Sequence, residues 1–146
     1  MADDRQFCTF VVDGLYFGIE VLRVQEVIRF QEMTRVPLAS PAIKGLINLR
    51  GQIVTAIDLR RGLELGDRAE GSLPMNVVVR TTDGAVSLLV DEIGDVLNVD
   101  PDTFERPPQT ITGIARELIT GVYKLKERLL LVMDTDKAVN LSGIAA

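Results

Sequence analysis

Residues 43–58 read IKGLINLRGQIVTAID and contain the most informative pattern of the chain. Two apolar segments, 46–49 and 53–57, flank Arg50 and Gly51. Runs of this length and composition favour strands, and glycine permits the backbone conformations that tight turns require. The pattern therefore predicts two strands that meet at a bend on Gly51.

Arg50 occupies a conspicuous place in this predicted hairpin. In an extended chain Ile47 and Leu49 lie on one face, whereas Asn48 and Arg50 lie on the other. Arg50 would then project beside the turn, where it either contacts a partner or carries a solvated charge at the rim of a plain hairpin. Exposed arginines are ordinary on protein surfaces, so the pattern alone leaves both interpretations open.

Short apolar segments and turn signals alternate through the rest of the chain. The pairs Asp13-Gly14 and Asp83-Gly84 each separate two apolar segments and predict β-hairpins, because Asp-Gly suits left-handed turn positions. The chain contains roughly ten such segments and no long amphipathic helix. This pattern predicts an all-β fold built from small barrels, with a few short helices.

Two segments receive a helical prediction. In residues 20–28, Val21, Val24, Val27 and Ile28 recur at spacings of three and four, which predicts a short helix with Glu26 off the apolar stripe. Asp134 is predicted to cap a C-terminal helix over residues 134–142 that packs back on the domain.

The remaining segments are predicted to be strands and connections. Residues 34–36 are predicted to form a short strand before a proline-bracketed loop, and residues 107–117 a connection without periodicity. The polar residues 66–73 form the best internal boundary. We therefore expect a single domain over residues 1–146, with one sub-barrel at 5–67 and a second at 72–137.

Composition excludes several partners. A net charge of -5 opposes binding to a phosphate backbone, so no nucleic acid partner is expected. No stretch approaches the roughly 20 uncharged apolar residues of a membrane span, which argues against direct membrane insertion. The start, MADDR, lacks the basic region and apolar core of a secretory signal and predicts a cytoplasmic protein.

Catalytic groups are scarce. The 146 residues include no histidine and a single cysteine, Cys8, which alternates with apolar residues. Aspartates follow apolar segments at Asp58, Asp91 and Asp134, and such oxygens are what a divalent metal would use. Aspartate after a strand more commonly starts a turn or caps a helix, so we expect no metal, no cofactor and no enzyme. A metal-dependent hydrolase on these aspartates is the least favoured alternative.

Four segments resemble, in order and spacing, the CheW-type adaptor proteins of bacterial chemotaxis. The segments are FCTFVVDGLYFGIEVLRVQEVI, GLINLRGQIVTAIDLR, VSLLVDEIGDVLNV and LITGVYKLKERLLLVMDTDKAV. The resemblance implies two five-stranded SH3-like barrels side by side. It also implies a non-catalytic adaptor that couples chemoreceptors, the methyl-accepting chemotaxis proteins, to the CheA histidine kinase.

The resemblance also implies two contact regions. In the family, an apolar groove between the barrels takes the tip of the receptor's helical hairpin, and a barrel end docks on the kinase. The receptor-facing residues carried over are Val21, Val24, Glu26, Val27, Asn48, Leu49, Arg50 and Gly51. The kinase-facing residues carried over are Thr34, Arg35, Val36, Ile43 and Gly45. An alternative keeps the adaptor role in a chemosensory-like pathway for surface motility, development or second-messenger control.

Overall fold

A computed structural model describes residues 5–111 and 113–140. Three short helices are α1 (Leu59–Gly62), α2 (Gly113–Leu118) and α3 (Thr135–Asn140). Single 3-10 turns span Val21–Arg23 and Pro101–Thr103. The strands are β1 (Arg5–Val12), β2 (Leu15–Glu20), β3 (Val24–Ile28), β4 (Ile43–Leu49), β5 (Gln52–Asp58), β6 (Met75–Thr81), β7 (Gly84–Val90), β8 (Glu92–Val99), β9 (Phe104–Glu105), β10 (Ile119–Lys124) and β11 (Leu129–Met133).

These strands form two sheets that interleave along the chain. One sheet has six strands in the order β8-β1-β2-β11-β10-β9, and the other has five in the order β3-β6-β7-β5-β4. The predicted all-β class, with two small strand assemblies and a few short helices, is confirmed, although one sheet has six strands where five were predicted. The predicted boundary is wrong, because residues 66–73 connect β5 to β6 within the five-stranded sheet. β1 pairs with β8 and β2 pairs with β11, so the N-terminal strands share a sheet with the C-terminal ones. Sub-barrels 5–67 and 72–137 therefore do not exist as units.

Three apolar clusters explain why several strands are buried on both faces. One cluster lies between the sheets and includes Phe10 and Phe17 of one sheet with Leu88 of the other. A second cluster, around Leu130, belongs to the six-stranded sheet, and a third, around Val78, belongs to the five-stranded sheet. Successive side chains of a strand alternate between these clusters, so the strands read as continuous apolar runs.

The five-stranded sheet closes on itself. After β3 the chain returns to β4, where Thr34 and Leu46 exchange two backbone hydrogen bonds of 2.8 Å. A Cβ atom on Gly45 would lie 2.7 Å from the carbonyl oxygen of Thr34. Glycine is therefore required at this position because the crossing backbone leaves no room for a side chain. The predicted strand at 34–36 is reduced to this single bridge.

The predicted helix over residues 20–28 is wrong. A single 3-10 turn is followed by β3, which pairs antiparallel with β6. The β-branched residues of this segment suit a pleated strand, and the unpaired edge of β6 supplies hydrogen bonds that a short isolated helix would lack. Side chains therefore alternate, with Glu26 and Ile28 half-buried and Val27 exposed.

The remaining segments are partly as predicted. β8 begins at Glu92 and pairs with β1 across a bulge. The segment predicted as an irregular connection contains α2. The C-terminal helix is confirmed as α3, with Ala138 and Val139 buried in the cluster between the sheets. The last two residues of its predicted span, 141–142, lie outside the described residues.

Candidate functional site

The two predicted contact regions lie at opposite ends of the five-stranded sheet. β4 begins at Ile43, among the kinase-facing candidates, and ends at Leu49, among the receptor-facing ones. Six residue steps at about 3.3 Å each separate these ends by about 20 Å. We call them the loop end, which carries residues 34–44, and the turn end, which carries residues 48–51.

The turn end is a two-residue hairpin connection. Leu49 pairs with Gln52, and both intervening residues have positive φ, 52° at Arg50 and 88° at Gly51. This is the conformation that matches the twist of paired strands. The side-chain oxygen of Asn48 accepts a hydrogen bond of 2.8 Å from the backbone N–H of Gly51. The predicted hairpin is confirmed, but the left-handed conformation of Arg50 was not expected.

Arg50 forms an ion pair with Glu26 across the closed sheet. β3 and β4 are the first and last strands of the sheet order, and closure of the sheet brings them together. The ion pair thus joins residues that lie 24 positions apart in the sequence. The Arg50 side chain is 69% exposed and that of Glu26 is 22% exposed. The hydrogen bond from Arg50 lowers the pKa of the Glu26 carboxyl, which stays ionised at neutral pH.

The other receptor-facing candidates divide into exposed and supporting residues. Val27 and Asn48 are exposed, and Val21 and Val24 are half-buried. Leu49 is 7% exposed and packs inside the five-stranded sheet, so it supports the turn and offers no surface of its own. The structure thus brings the candidates of β3 and of the β4–β5 turn to one end of the sheet.

A cleft of about 440 Å³ opens beside the turn end. It runs between the five-stranded sheet and α3, and Ile53, which is 62% exposed, lies on its border. Arg23 binds Asp136 of α3 with an N–O distance of 2.7 Å, which fastens the 3-10 turn before β3 to the C-terminal helix. Neither Ile53 nor the cleft was among the sequence candidates, because α3 completes the cleft only in the folded chain.

The loop end has a larger cleft than the turn end. Thr34, Arg35 and Val36 are exposed, and the loop that follows them surrounds a cleft of about 640 Å³ with Ile43 at its side. Gly45 is buried under Thr34 and serves the closure of the sheet. Leu38 is fully exposed and does not belong to the kinase-facing candidates.

The strand-end aspartates bind arginines. Arg60 donates hydrogen bonds to both oxygens of Asp91, at 2.9 Å from Nε and 2.7 Å from Nη2. Arg68 reaches Asp91 at 3.0 Å and Asp58 at 3.2 Å. We call these four residues the arginine-aspartate cluster; their side chains are at most 15% exposed. The cluster lies where β7 passes into β8 and therefore ties the two sheets together.

Electrostatics favour the charged forms of Asp91 and Arg60 in this cluster. Burial would raise the pKa of the Asp91 carboxyl, but hydrogen bonds from Arg60 and from the backbone N–H of Asp13 lower it below its ordinary value. Asp58 also accepts a hydrogen bond from the backbone N–H of Arg60 and caps α1. Because arginines occupy these carboxylates, the metal-site hypothesis loses two of its ligands.

Asp134 behaves as the cap that its sequence position predicts. Its carboxylate accepts a 3.1 Å hydrogen bond from the backbone N–H of Lys137. Within residues 5–111 and 113–140, no group of three or more histidine, cysteine, aspartate or glutamate side chains is placed to hold a metal ion. Over the same ranges, no helix has the length and hydropathy that crossing a membrane requires.

Fold and surface together define a class of protein: a small two-sheet β protein that presents ordered turns and loops at two separate ends of one sheet. The family model described as the CheW-like domain matches residues 6–142. The chain therefore belongs to the CheW-like domain family.

Relatives support this assignment over nearly the whole length. The chemotaxis protein CheW of Treponema pallidum is 31% identical over 144 residues, which cover 92% of this chain and 83% of the relative. That of Bacillus subtilis is 31% identical and covers 93% and 87%. The crystal structure of the scaffolding protein TtCheW from Thermoanaerobacter tengcongensis superposes with a TM-score of 0.80 at 25% identity, over 90% of this chain and 89% of that one.

Proposed function

We propose that this chain is an adaptor of bacterial chemotaxis signalling that couples chemoreceptors to a CheA-type histidine kinase without catalysing a reaction. Membership of the CheW-like domain family supports the proposal. The single observation that carries it is that β4 separates the two candidate contact regions by its full length, because an adaptor must hold two partners without overlap. The proposal implies a cytoplasmic location beside membrane-anchored receptor arrays.

The receptor is proposed to bind at the turn end. A helical hairpin tip offers apolar side chains for the cleft beside α3 and polar groups for its rim. Ile53 provides exposed apolar area there, and Arg50 and Glu26 provide a fixed pair of opposite charges. Opposite charges in a fixed arrangement select the orientation of a partner more than they add affinity.

The kinase is proposed to bind at the loop end. Its regulatory domain would contact Arg35 and Val36, which are exposed on the segment that closes the sheet. Gly45 acts there indirectly, because it permits Thr34 to lie against β4. Ile43 forms part of the wall of the adjacent cleft.

The charge reversal Arg50→Glu tests the receptor assignment. It places two carboxylates side by side at the turn end and should weaken binding of a receptor fragment while leaving binding of a kinase fragment unchanged. Pull-down of each fragment on immobilised adaptor measures both. Arg106→Glu is the matched control, because Arg106 is an exposed arginine outside the five-stranded sheet.

Two outcomes would contradict the proposal at different levels. Equal receptor binding by the parent and the Arg50→Glu variant would remove the turn end from the receptor site. Absence of binding to both fragments by the folded parent protein would overturn the adaptor function itself.

A further inference from the structure

Leu38 has the most exposed apolar side chain among the large hydrophobic residues described. Its relative exposure is 106%, and its φ of 63° lies in the left-handed region. This region is unfavourable for residues with a Cβ atom, and leucine, unlike asparagine, has no polar side chain that compensates locally. Leu38 therefore carries a backbone cost without any burial in return. Such residues cluster at binding sites, where a partner supplies the missing contacts.

The surroundings of Leu38 are cationic. The cleft of about 640 Å³ at the loop end is lined by Arg35, Lys44 and Arg61. Arg61 binds the exposed Asp67 at 3.2 Å. Over the part of the chain that the structure describes, neither Arg35 nor Lys44 has a carboxylate at salt-bridge distance. A chain with a net charge of -5 thus concentrates positive charge around one exposed leucine.

We propose that Leu38 is the apolar anchor of a docking loop and that its partner presents an apolar hollow framed by carboxylates. This inference rests on the proposed function and specifies the chemistry of the kinase-facing surface at the loop end. Protein interfaces commonly have a few buried anchor residues at the centre and a polar rim around them. The rim steers the acidic partner, and the anchor slows its release.

Charge complementarity decides the occupant. A second copy of this chain that met this surface with the same loop end would bring like charges together, whereas a partner with carboxylates neutralises Arg35 and Lys44 directly. An acidic rim also makes binding dependent on ionic strength, since exposed charge pairs are screened by salt. A purely apolar contact would keep its affinity as salt is added.

Truncation of Leu38 is the first test. The probe is the purified regulatory domain of a CheA-type kinase from the source cell, titrated into the full-length adaptor. Leu38→Ala is expected to weaken binding by roughly tenfold or more, as truncation of an interface anchor does. Leu22→Ala is the matched control, because Leu22 is a leucine that is 83% exposed at the turn end. It should leave kinase affinity unchanged.

Leu38→Gly separates binding from folding. Glycine adopts positive φ without strain and removes a side chain that buries no surface in the free protein. The thermal midpoint should therefore stay equal or rise, while kinase affinity falls as it does for Leu38→Ala. A general loss of structure would instead lower the thermal midpoint and the affinity together.

Charge reversal tests the rim. Lys44→Glu should weaken kinase binding and flatten its dependence on salt, whereas Lys126→Glu, in the exposed turn between β10 and β11, should change neither. If the parent binds the kinase domain but the Leu38 variants bind equally well, the anchor is wrong and the adaptor function stands. If salt has no effect on the parent, the acidic rim is wrong. Failure of the parent to bind the kinase overturns the kinase-facing assignment from which the inference starts.

Discussion

Arginine and carboxylate groups meet at both ends of the five-stranded sheet, but in different environments. At the turn end the Arg50 side chain is 69% exposed, and its partner Glu26 is 22% exposed. Near the loop end Arg60 and Asp91 are 14% and 15% exposed. The same kind of ion pair is therefore solvated at one end of the sheet and largely removed from water at the other.

The difference separates a recognition pair from a structural cluster. An exposed ion pair contributes little to folding, because water screens it and both side chains lose freedom. A buried pair leaves an uncompensated charge when one partner is lost, so its disruption is costly. We expect the turn end to tolerate changes of charge and the arginine-aspartate cluster to resist them. The predictions below test this contrast through the free energy of unfolding, and one of them compares it with the cost of disturbing the closure of the sheet.

Asp91→Ala should produce the largest loss of stability. The change leaves Arg60 and Arg68 without their shared carboxylate where the two sheets join. Removal of one partner from a buried ion pair costs about 3 kcal/mol or more. Urea unfolding measures the loss. Asp67→Ala, which removes a carboxylate that is 76% exposed, is the control and should cost little.

Gly45→Ala should have an intermediate effect. The new Cβ atom would lie 2.7 Å from the carbonyl oxygen of Thr34, so the closing segment must move. Overpacking of this kind costs about 1–3 kcal/mol. Kinase binding should fall with stability, because the loop end is displaced. Gly66→Ala meets no atom within 4 Å and should change neither quantity. A neutral Gly45→Ala would show that the segment shifts freely.

Acid should weaken the arginine-aspartate cluster. The folded-state pKa of Asp91 lies below its ordinary value of 3.8, so its contribution to stability is present above that pH. The contribution is lost as the pH falls through the lowered pKa, because the unfolded chain binds the proton more tightly. Urea unfolding as a function of pH should therefore show a shallower acid slope for Asp91→Asn. Glu26→Gln should alter that slope less, since its pair is exposed.

Exchange of the charges at the turn end should have the smallest effect on stability. The double variant with Glu26→Arg and Arg50→Glu restores an ion pair with reversed polarity across the same two strands. Its urea midpoint should match that of the parent protein. Receptor binding should nevertheless fall, because the partner meets the opposite arrangement of charges. Full recovery of receptor binding would show that the pair acts on folding rather than on recognition.

Local patterns predicted the parts of the fold that depend on neighbouring residues. The hairpin of β4 and β5 follows from two apolar runs around Gly51, and the cap of α3 follows from Asp134. Periodicity failed at residues 20–28, because the spacing of three and four favours a helix whereas the β-branched residues themselves favour a strand. Pairing with β6, which lies about 50 positions away, decided between them.

The candidate site was predictable only in part. Arg50 stood out beside a turn, whereas its partner Glu26 was predicted to be free on a helix. Leu38 carried no signal, since exposure and positive φ are properties of the folded backbone. The sequence presents Asp91 as a candidate metal ligand, because the two arginines that bind it lie 23 and 31 positions earlier and are not recognisable as its partners from sequence alone.

Strand patterns, turn residues and motifs are local properties of the chain, so they were sufficient to predict the all-β class, the hairpins and the likeness to a family of adaptors. The folded chain was needed to see which strands share a sheet, that residues 66–73 are no boundary and that the exposed Leu38 is surrounded by cationic side chains. These features arise from contacts between distant residues, whose free energy depends on packing and burial that a linear pattern does not contain.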